Sequence, residues 1–278
     1  MILVTGASGH VGSELVKLLT DQGRSARALV RSPDDTASGV RSGVEVVGGD
    51  LNRPESLSEV LEGIDAVFLL GGFADMPGVL AQARAAGVGH VVLLSSRSVV
   101  EGHPDNAVVA MHLGSEAAVR ESGIEWTLLR PSGFMSNTLQ WQAQLRVGDA
   151  VRAPFAGVPI AAIDPYDIAA VAAAVLGDKK HFGVAYTLSG PTALLPADQV
   201  DILARVLDRP LRFEAQPDDE ARKEMLQTTP ANYVDAFFRF FAAGEFDDTP
   251  VVPTVADLTG RQPRTFEDWA TAHAEVFR

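Results

Sequence analysis

Residues 5–12 read Thr-Gly-Ala-Ser-Gly-His-Val-Gly, directly after the apolar run Met1-Ile-Leu-Val4. A short apolar strand that runs into a glycine-rich turn and then a helix admits few folds. Gly6 allows the tight turn, Gly9 lets backbone come close to a phosphate, and Gly12 lets helix and strand pack together. The helical pattern at 11–19 places Leu15, Leu18 and Leu19 on one face. Its start leaves N–H groups without partners and a dipole that favours an anion. Ser8, His10 and Val11 fill the turn, and their backbone would meet a pyrophosphate. The turn predicts dinucleotide binding, against the plain alternative of an ordinary strand-turn-helix corner.

Strand-like runs at 2–5, 27–30, 44–47, 66–70, 91–94 and 126–129 alternate with helical spacing at 11–19, 54–61, 77–86 and 109–120. Runs of Val and Leu without polar alternation suit a parallel sheet covered on both faces. Regular alternation with short links predicts an α/β fold, a doubly wound parallel sheet with ligands at the carboxyl ends of its strands. After Arg130-Pro131 the alternation loosens. Asp164-Pro-Tyr-Asp167 starts a helix feeding 168–176, a strand near 185–188 follows, and a helix runs from about 196 to 207. From Pro217 onward, proline punctuation and the pairs Phe237-Phe238 and Phe240-Phe241 suggest a small, mostly helical lobe over the strand ends. A Rossmann core is expected over 1–155. Residues 156–278 would supply the remaining sheet and helix elements and a substrate-covering lobe, interleaved with the core.

The 278 residues suffice for one large domain, and the formal charge of −13 argues against a nucleic-acid partner. With no cysteine, disulfides, thiolate nucleophiles and iron–sulfur ligation are excluded. The six histidines show no metal-ligand spacing, so no metal is expected. No apolar run is long enough to span a membrane. A strand beginning at the first residues leaves no leader segment, so a soluble cytoplasmic protein is expected.

The second strand ends Val30-Arg31-Ser32-Pro33. An NAD-selective site usually has an acidic residue there, whereas Arg31 and Ser32 can meet a 2′-phosphate, which favours NADP(H). Asp34 and Asp35 keep the ribose alternative open. Asp50 and Leu51, after the third strand, would flank adenine, unless Asp50 merely opens the next turn. Gly71 and Gly72 would let backbone lie along the cofactor, and Ser95 follows the fifth strand where a reacting group would sit. Pro131 to Asn137 should line the nicotinamide and substrate pocket, with Phe134 and Met135 as apolar walls and Asn137 as a polar anchor. Trp141 and the phenylalanines at 237–241 would cap it, although aromatic residues at such spacing also build cores.

These residues carry a resemblance. Thr5 to Gly12, Val30-Arg31-Ser-Pro33, Gly49-Asp-Leu51, Leu128-Leu-Arg-Pro-Ser-Gly-Phe-Met-Ser-Asn137 and Asp167-Ile168-Ala169 make the chain similar to the atypical short-chain dehydrogenase/reductases of the NmrA-like and type 2 quinone reductase group. Ordinary members of the wider family use Tyr-x-x-x-Lys, and here Tyr166, Tyr186 and Tyr233 are followed four residues on by Ala170, Gly190 and Phe237. The expected place instead reads Val108-x-x-x-His112, then Glu116, a pair that the resemblance to the quinone reductase branch implies. Glu116, one helical turn from His112, would orient the imidazole and raise its pKa. His112 can hold the cofactor ribose, donate a proton, or be a plain helix residue.

Without Tyr and Lys, the expected reaction is hydride transfer from NADPH to a quinone-like or conjugated carbonyl acceptor, with Ser95, His112 and Asn137 around the reacting ring. Pro131 would contact the cofactor. The expected partner is a small aromatic or quinone-like substrate, with a homodimer as an option. Two other readings stay open: an NADP(H)-binding redox sensor without turnover, and a tailoring enzyme of an aromatic natural-product pathway, including an oxygenase.

Overall fold

The computed structural model describes residues 1–31 and 44–278; Ser32, Asp34 and Asp35 lie outside them. Among the described residues nine strands form: β1 (Ile2–Val4), β2 (Ala26–Val30), β3 (Glu45–Gly48), β4 (Ala66–Leu70), β5 (His90–Leu94), β6 (Glu125–Pro131), β7 (Ala150–Ala153), β8 (Val184–Leu188) and β9 (Arg212–Ala215). Seven of them form one parallel sheet in the order β3-β2-β1-β4-β5-β6-β8. The order reverses between β1 and β4. Connections therefore leave on opposite faces there and open a crevice at the carboxyl ends.

Alternation along β1 shows how the two faces are filled. Ile2 and Val4 face α1 (His10–Asp21), while Leu3 points to the other side. Between these strands and the second half of the chain lie α2 (Met76–Ala85), α3 (Ser98–Glu101), α4 (Ala107–Glu121), α5 (Gln142–Leu145) and α6 (Pro165–Val175). Asp164 starts α6 as read from sequence, its carboxylate accepting from the Tyr166 N–H ahead of Pro165. Ile168, Val171 and Ala172 of α6 share the α1 core with Leu15 and Leu19. Leu80 and Val119 fill the opposite core with Leu3 and Leu29.

The remaining helices are α7 (Pro196–Leu207), α8 (Asp218–Met225), α9 (Ala231–Phe241), α10 (Thr254–Thr259) and α11 (Phe266–Ala272). A third core gathers Trp141, Leu203, Phe266, Trp269 and Phe277 around the small parallel pair β7–β9, which the sequence did not signal. No helix among the described residues is long and apolar enough to cross a membrane.

One expected helix is replaced. Residues 54–61 form a 3₁₀ turn at Pro54–Leu57 followed by irregular turns. The Ser56 hydroxyl accepts from the Asp50 N–H and contacts the Arg53 carbonyl, a local bonding pattern that competes with a regular helix. Leu57, Val60 and Leu61 are nonetheless buried, so the periodicity was a true record of the core and not of the backbone.

Candidate functional site

The turn after β1 has the geometry that phosphate binding needs. Gly6 sits at φ 62°, and its carbonyl accepts from the Gly9 N–H at 2.8 Å. A Cβ on Gly12 would lie 2.1 Å from the Gly6 carbonyl oxygen, so α1 meets the turn closely only because that atom is missing. No side chain caps α1, and Ser8, Gly9 and His10 are exposed at its start while Val11 and Gly12 are buried. An open helix N-terminus beside a glycine turn fits a pyrophosphate. Arg31, exposed, stands at the end of β2.

Gly71 and Gly72 follow β4 on the other side of the crevice. The Gly72 N–H donates to Ser115 Oγ at 3.0 Å, bringing α4 against the glycine pair. Asp50 is tied into its own turn: Oδ1 accepts from the Asn52 N–H at 2.9 Å, and Arg53 lies 3.4 Å from Oδ2. The Asn52 hydrogen bond leads in holding its carboxyl below the ordinary carboxylate range. Leu51 is 8% exposed and packs into the core beneath the strand ends, which leaves Asp50 as the more open of the two.

Ser95 and Pro131, after β5 and at the end of β6, are both buried. Ser95 Oγ donates to Glu116 Oε1 at 2.7 Å, and Arg130 grips both Glu116 oxygens at 2.8 and 2.6 Å. Burial alone would raise the Glu116 carboxyl, but Arg130 and Ser95 overcome it and hold it low. Glu116 therefore does not orient His112, and the upward pull it was expected to exert on the imidazole is present but outweighed. Burial pushes the imidazole down to about 4, against a smaller opposing pull from Glu116. His112 Nδ1 is buried with no hydrogen-bond partner among the described residues. A neutral imidazole with one unmet nitrogen fits a bound polar group such as a ribose hydroxyl.

Beyond β6 the chain turns into a cleft of about 570 Å³ whose wall begins at Gly133 and Phe134. Asn137, exposed, lines it together with Trp141, Phe237 and Phe241. Met135 instead points into the third core at 2% exposure, so it is no wall of the pocket. Ser95 and His112 are not among the residues lining this cleft, and neither is any of the three tyrosines.

Two contributors had no local signal in the sequence. Asp248, on the extended segment after α9, accepts from the Gly133 N–H at 2.8 Å, and its carbonyl accepts from Ala161 N–H. Arg97 lies 3.6 Å from the Asp248 carboxylate and donates to the Pro250 carbonyl at 2.8 Å. This strap fastens the second half of the chain across the loops after β5 and β6. Arg130 lies in the Leu128–Asn137 stretch with no role apparent from sequence; its partner Glu116 on α4 gives it one.

The profile of the NAD(P)H-binding family matches residues 6–179. The chain belongs to this family. Across its full length it is 44% identical over 285 residues to a (4-alkanoyl-5-oxo-2,5-dihydrofuran-3-yl)methyl phosphate reductase of Streptomyces griseus, covering 99% of that protein. It is 33% identical over 286 residues to an NAD(P)H azoreductase of Xenophilus azovorans, again covering 99% of it. The NADPH-dependent quinone oxidoreductase of Escherichia coli solved with NADPH has the same fold, with a TM-score of 0.80 at 20% identity and full coverage of both chains. The expected likeness to NmrA and to the quinone reductase holds at the level of the fold, with an NmrA structure giving a TM-score of 0.75 at 18% identity. The protein is an NAD(P)H-dependent oxidoreductase of the atypical short-chain type lacking Tyr-x-x-x-Lys.

Proposed function

We propose that the protein reduces a quinone-like or other conjugated carbonyl acceptor, held in the cleft beyond β6, using NADPH. The observation that carries this reading is the cleft itself: aromatic walls and an exposed Asn137 begin at the loop where the crevice between the strand ends would present a nicotinamide. The name of the Streptomyces relative supports it, since a dihydrofuranone bearing an alkanoyl group has a carbon–carbon double bond conjugated to carbonyls. A cytoplasmic location, where reduced nicotinamide is regenerated, suits the activity.

When bound, the dinucleotide would supply the hydride. Gly6, Ser8, Gly9, His10, Val11 and Gly12 would hold its pyrophosphate and Arg31 the 2′-phosphate, joined by Ser32, which lies outside the described residues. Asp50 and Leu51 would flank the adenine, and Gly71, Gly72 and Pro131 would border the ribose and nicotinamide. His112, being neutral, serves as a hydrogen-bond partner for the ribose and not as an acid. Ser95, its proton directed to Glu116, offers lone pairs only. Asn137 donates its amide N–H to the acceptor oxygen that gains charge. Such an acceptor forms a stabilised anion, so orientation replaces the missing tyrosine acid.

Titration of NADPH and NADH, followed by loss of nicotinamide absorbance with a panel of small quinones, tests the reading. Quinone-dependent decay with a preference for NADPH is expected. Tight NADPH binding without decay across quinones and enones would overturn it.

A further inference from the structure

Among the described residues, two charged side chains line the cleft: Arg152 on β7 and Glu224 on α8. They face each other, and Glu220, one turn earlier on α8, joins them. Arg152 Nη2 pairs with Glu220, and Arg152 Nη1 lies 3.9 Å from Glu224 Oε1. The backbone of the arginine is also held. Its backbone N–H donates to Gln144 Oε1 at 2.7 Å, and Gln144 Nε2 donates to its backbone carbonyl at 3.0 Å. Glu224 is held in turn by Gln216 Nε2 at 2.7 Å. The rest of the lining is aromatic and aliphatic surface with uncharged amides, among them Asn137, Gln140 and Gln199.

The sum of formal charges in this trio is one negative. A guanidinium matched by two carboxylates has no charge left for an incoming anion. An anionic acceptor would have to displace a carboxylate from Arg152 and then stand beside the one it freed. Discrimination of this kind comes from the repulsive element at a site as much as from its attractive contacts.

We infer that the cleft selects uncharged acceptors over anionic ones, with Glu220 and Glu224 as the specificity-determining residues. The inference deepens the reductase reading and rests on it for the occupant of the cleft. It also sets this chain apart from its Streptomyces relative, whose named substrate is a phosphate ester. Because the pair is partly exposed, the discrimination is modest, about tenfold, and shrinks as salt screens it.

The test compares 1,2-naphthoquinone with 1,2-naphthoquinone-4-sulfonate on the full-length protein and on its Glu220→Gln/Glu224→Gln variant. Two readouts are taken: kcat/KM with NADPH, and binding by quenching of Trp141 fluorescence, with Trp141→Phe as control. The neutral-to-sulfonate ratio in the variant should fall about tenfold relative to the parent, a comparison that cancels the intrinsic reactivity of the two quinones. An unchanged ratio overturns the inference. So does a parent that prefers the sulfonate and loses that preference in Arg152→Gln, which would make Arg152 an anion anchor. Should neither quinone be reduced, the binding ratio still decides the charge selection, while the reductase reading falls by itself.

Discussion

Replacing Asp248 with asparagine separates two opposing effects in the strap over the β5 and β6 loops. Asparagine keeps the shape and an oxygen for the Gly133 N–H, but removes the charge facing Arg97. Asp248 is only 6% exposed. Burial raises its carboxyl from 3.8 to about 6, against the Gly133 hydrogen bond and Arg97, while Asp247 and Glu101 add to the rise. A carboxyl whose folded value lies above its unfolded one binds more protons when folded. Its contribution to stability is therefore present at low pH and lost as pH rises from about 3.8 through about 6. At roughly 1.4 kcal/mol per pKa unit, the loss is about 1 kcal/mol by pH 4.5 and about 3 kcal/mol by pH 7.5. The asparagine variant has no such titration. Its stability relative to the parent should climb by about 2 kcal/mol between those two pH values, measured by urea unfolding of both proteins side by side. A flat difference, or a variant that weakens as pH rises, would refute the reasoning and show that the pairing with Arg97 outweighs burial.

Three further outcomes are expected. Gly12→Ala places a methyl 2.1 Å from the Gly6 carbonyl oxygen; it should cost about 1–3 kcal/mol of stability and weaken NADPH at least about tenfold in a fluorescence titration. Unaltered affinity would mean that the turn does not hold the pyrophosphate. Arg31→Ala should weaken NADPH by about 1–3 kcal/mol and NADH hardly at all, and equal losses by calorimetry would remove Arg31 from the 2′-phosphate. With its imidazole lowered to about 4 by burial, His112 is neutral through the working range. Profiles of kcat/KM from pH 5.5 to 8 should then be the same in shape for the parent and His112→Asn, whereas His112→Ala should raise the NADPH dissociation constant about tenfold. An ionisation near pH 6.5 that disappears in His112→Asn would restore the acid role.

What could be read from sequence was whatever the chain writes locally. The glycine turn, the β4 strand at 66–70 and the Asp164-Pro165 helix start each depend on neighbours within a few residues, and each stands where expected. The segment 54–61 shows the limit of periodicity. Spacing reports which side chains face the core, and a 3₁₀ turn with loose continuation satisfies it as well as a helix does. The partners of Glu116 show another limit. Its spacing to His112 was visible, but Arg130 and Ser95 reach it only once β5 and β6 lie side by side, and they outcompete the imidazole one turn away. Asp248 and Arg97 meet across even more of the chain, and no pattern of residue types foretold their contact.

The glycine turn proposed to hold phosphate lies in the first dozen residues, whereas the cleft is walled from Gly133 onward by the loop after β6, β7, α8 and α9. The proposed dinucleotide turn and the cleft thus come from different stretches of the chain, joined along the strap. Substitutions among the cleft walls can retune the acceptor without touching the grip on the dinucleotide. A hybrid that joins the first 132 residues of this chain to the remainder of a full-length relative should keep its nicotinamide preference and take on the acceptor range of the donor. Diversification in such a lineage would proceed by exchanging the far wall of the site while the near wall stays put.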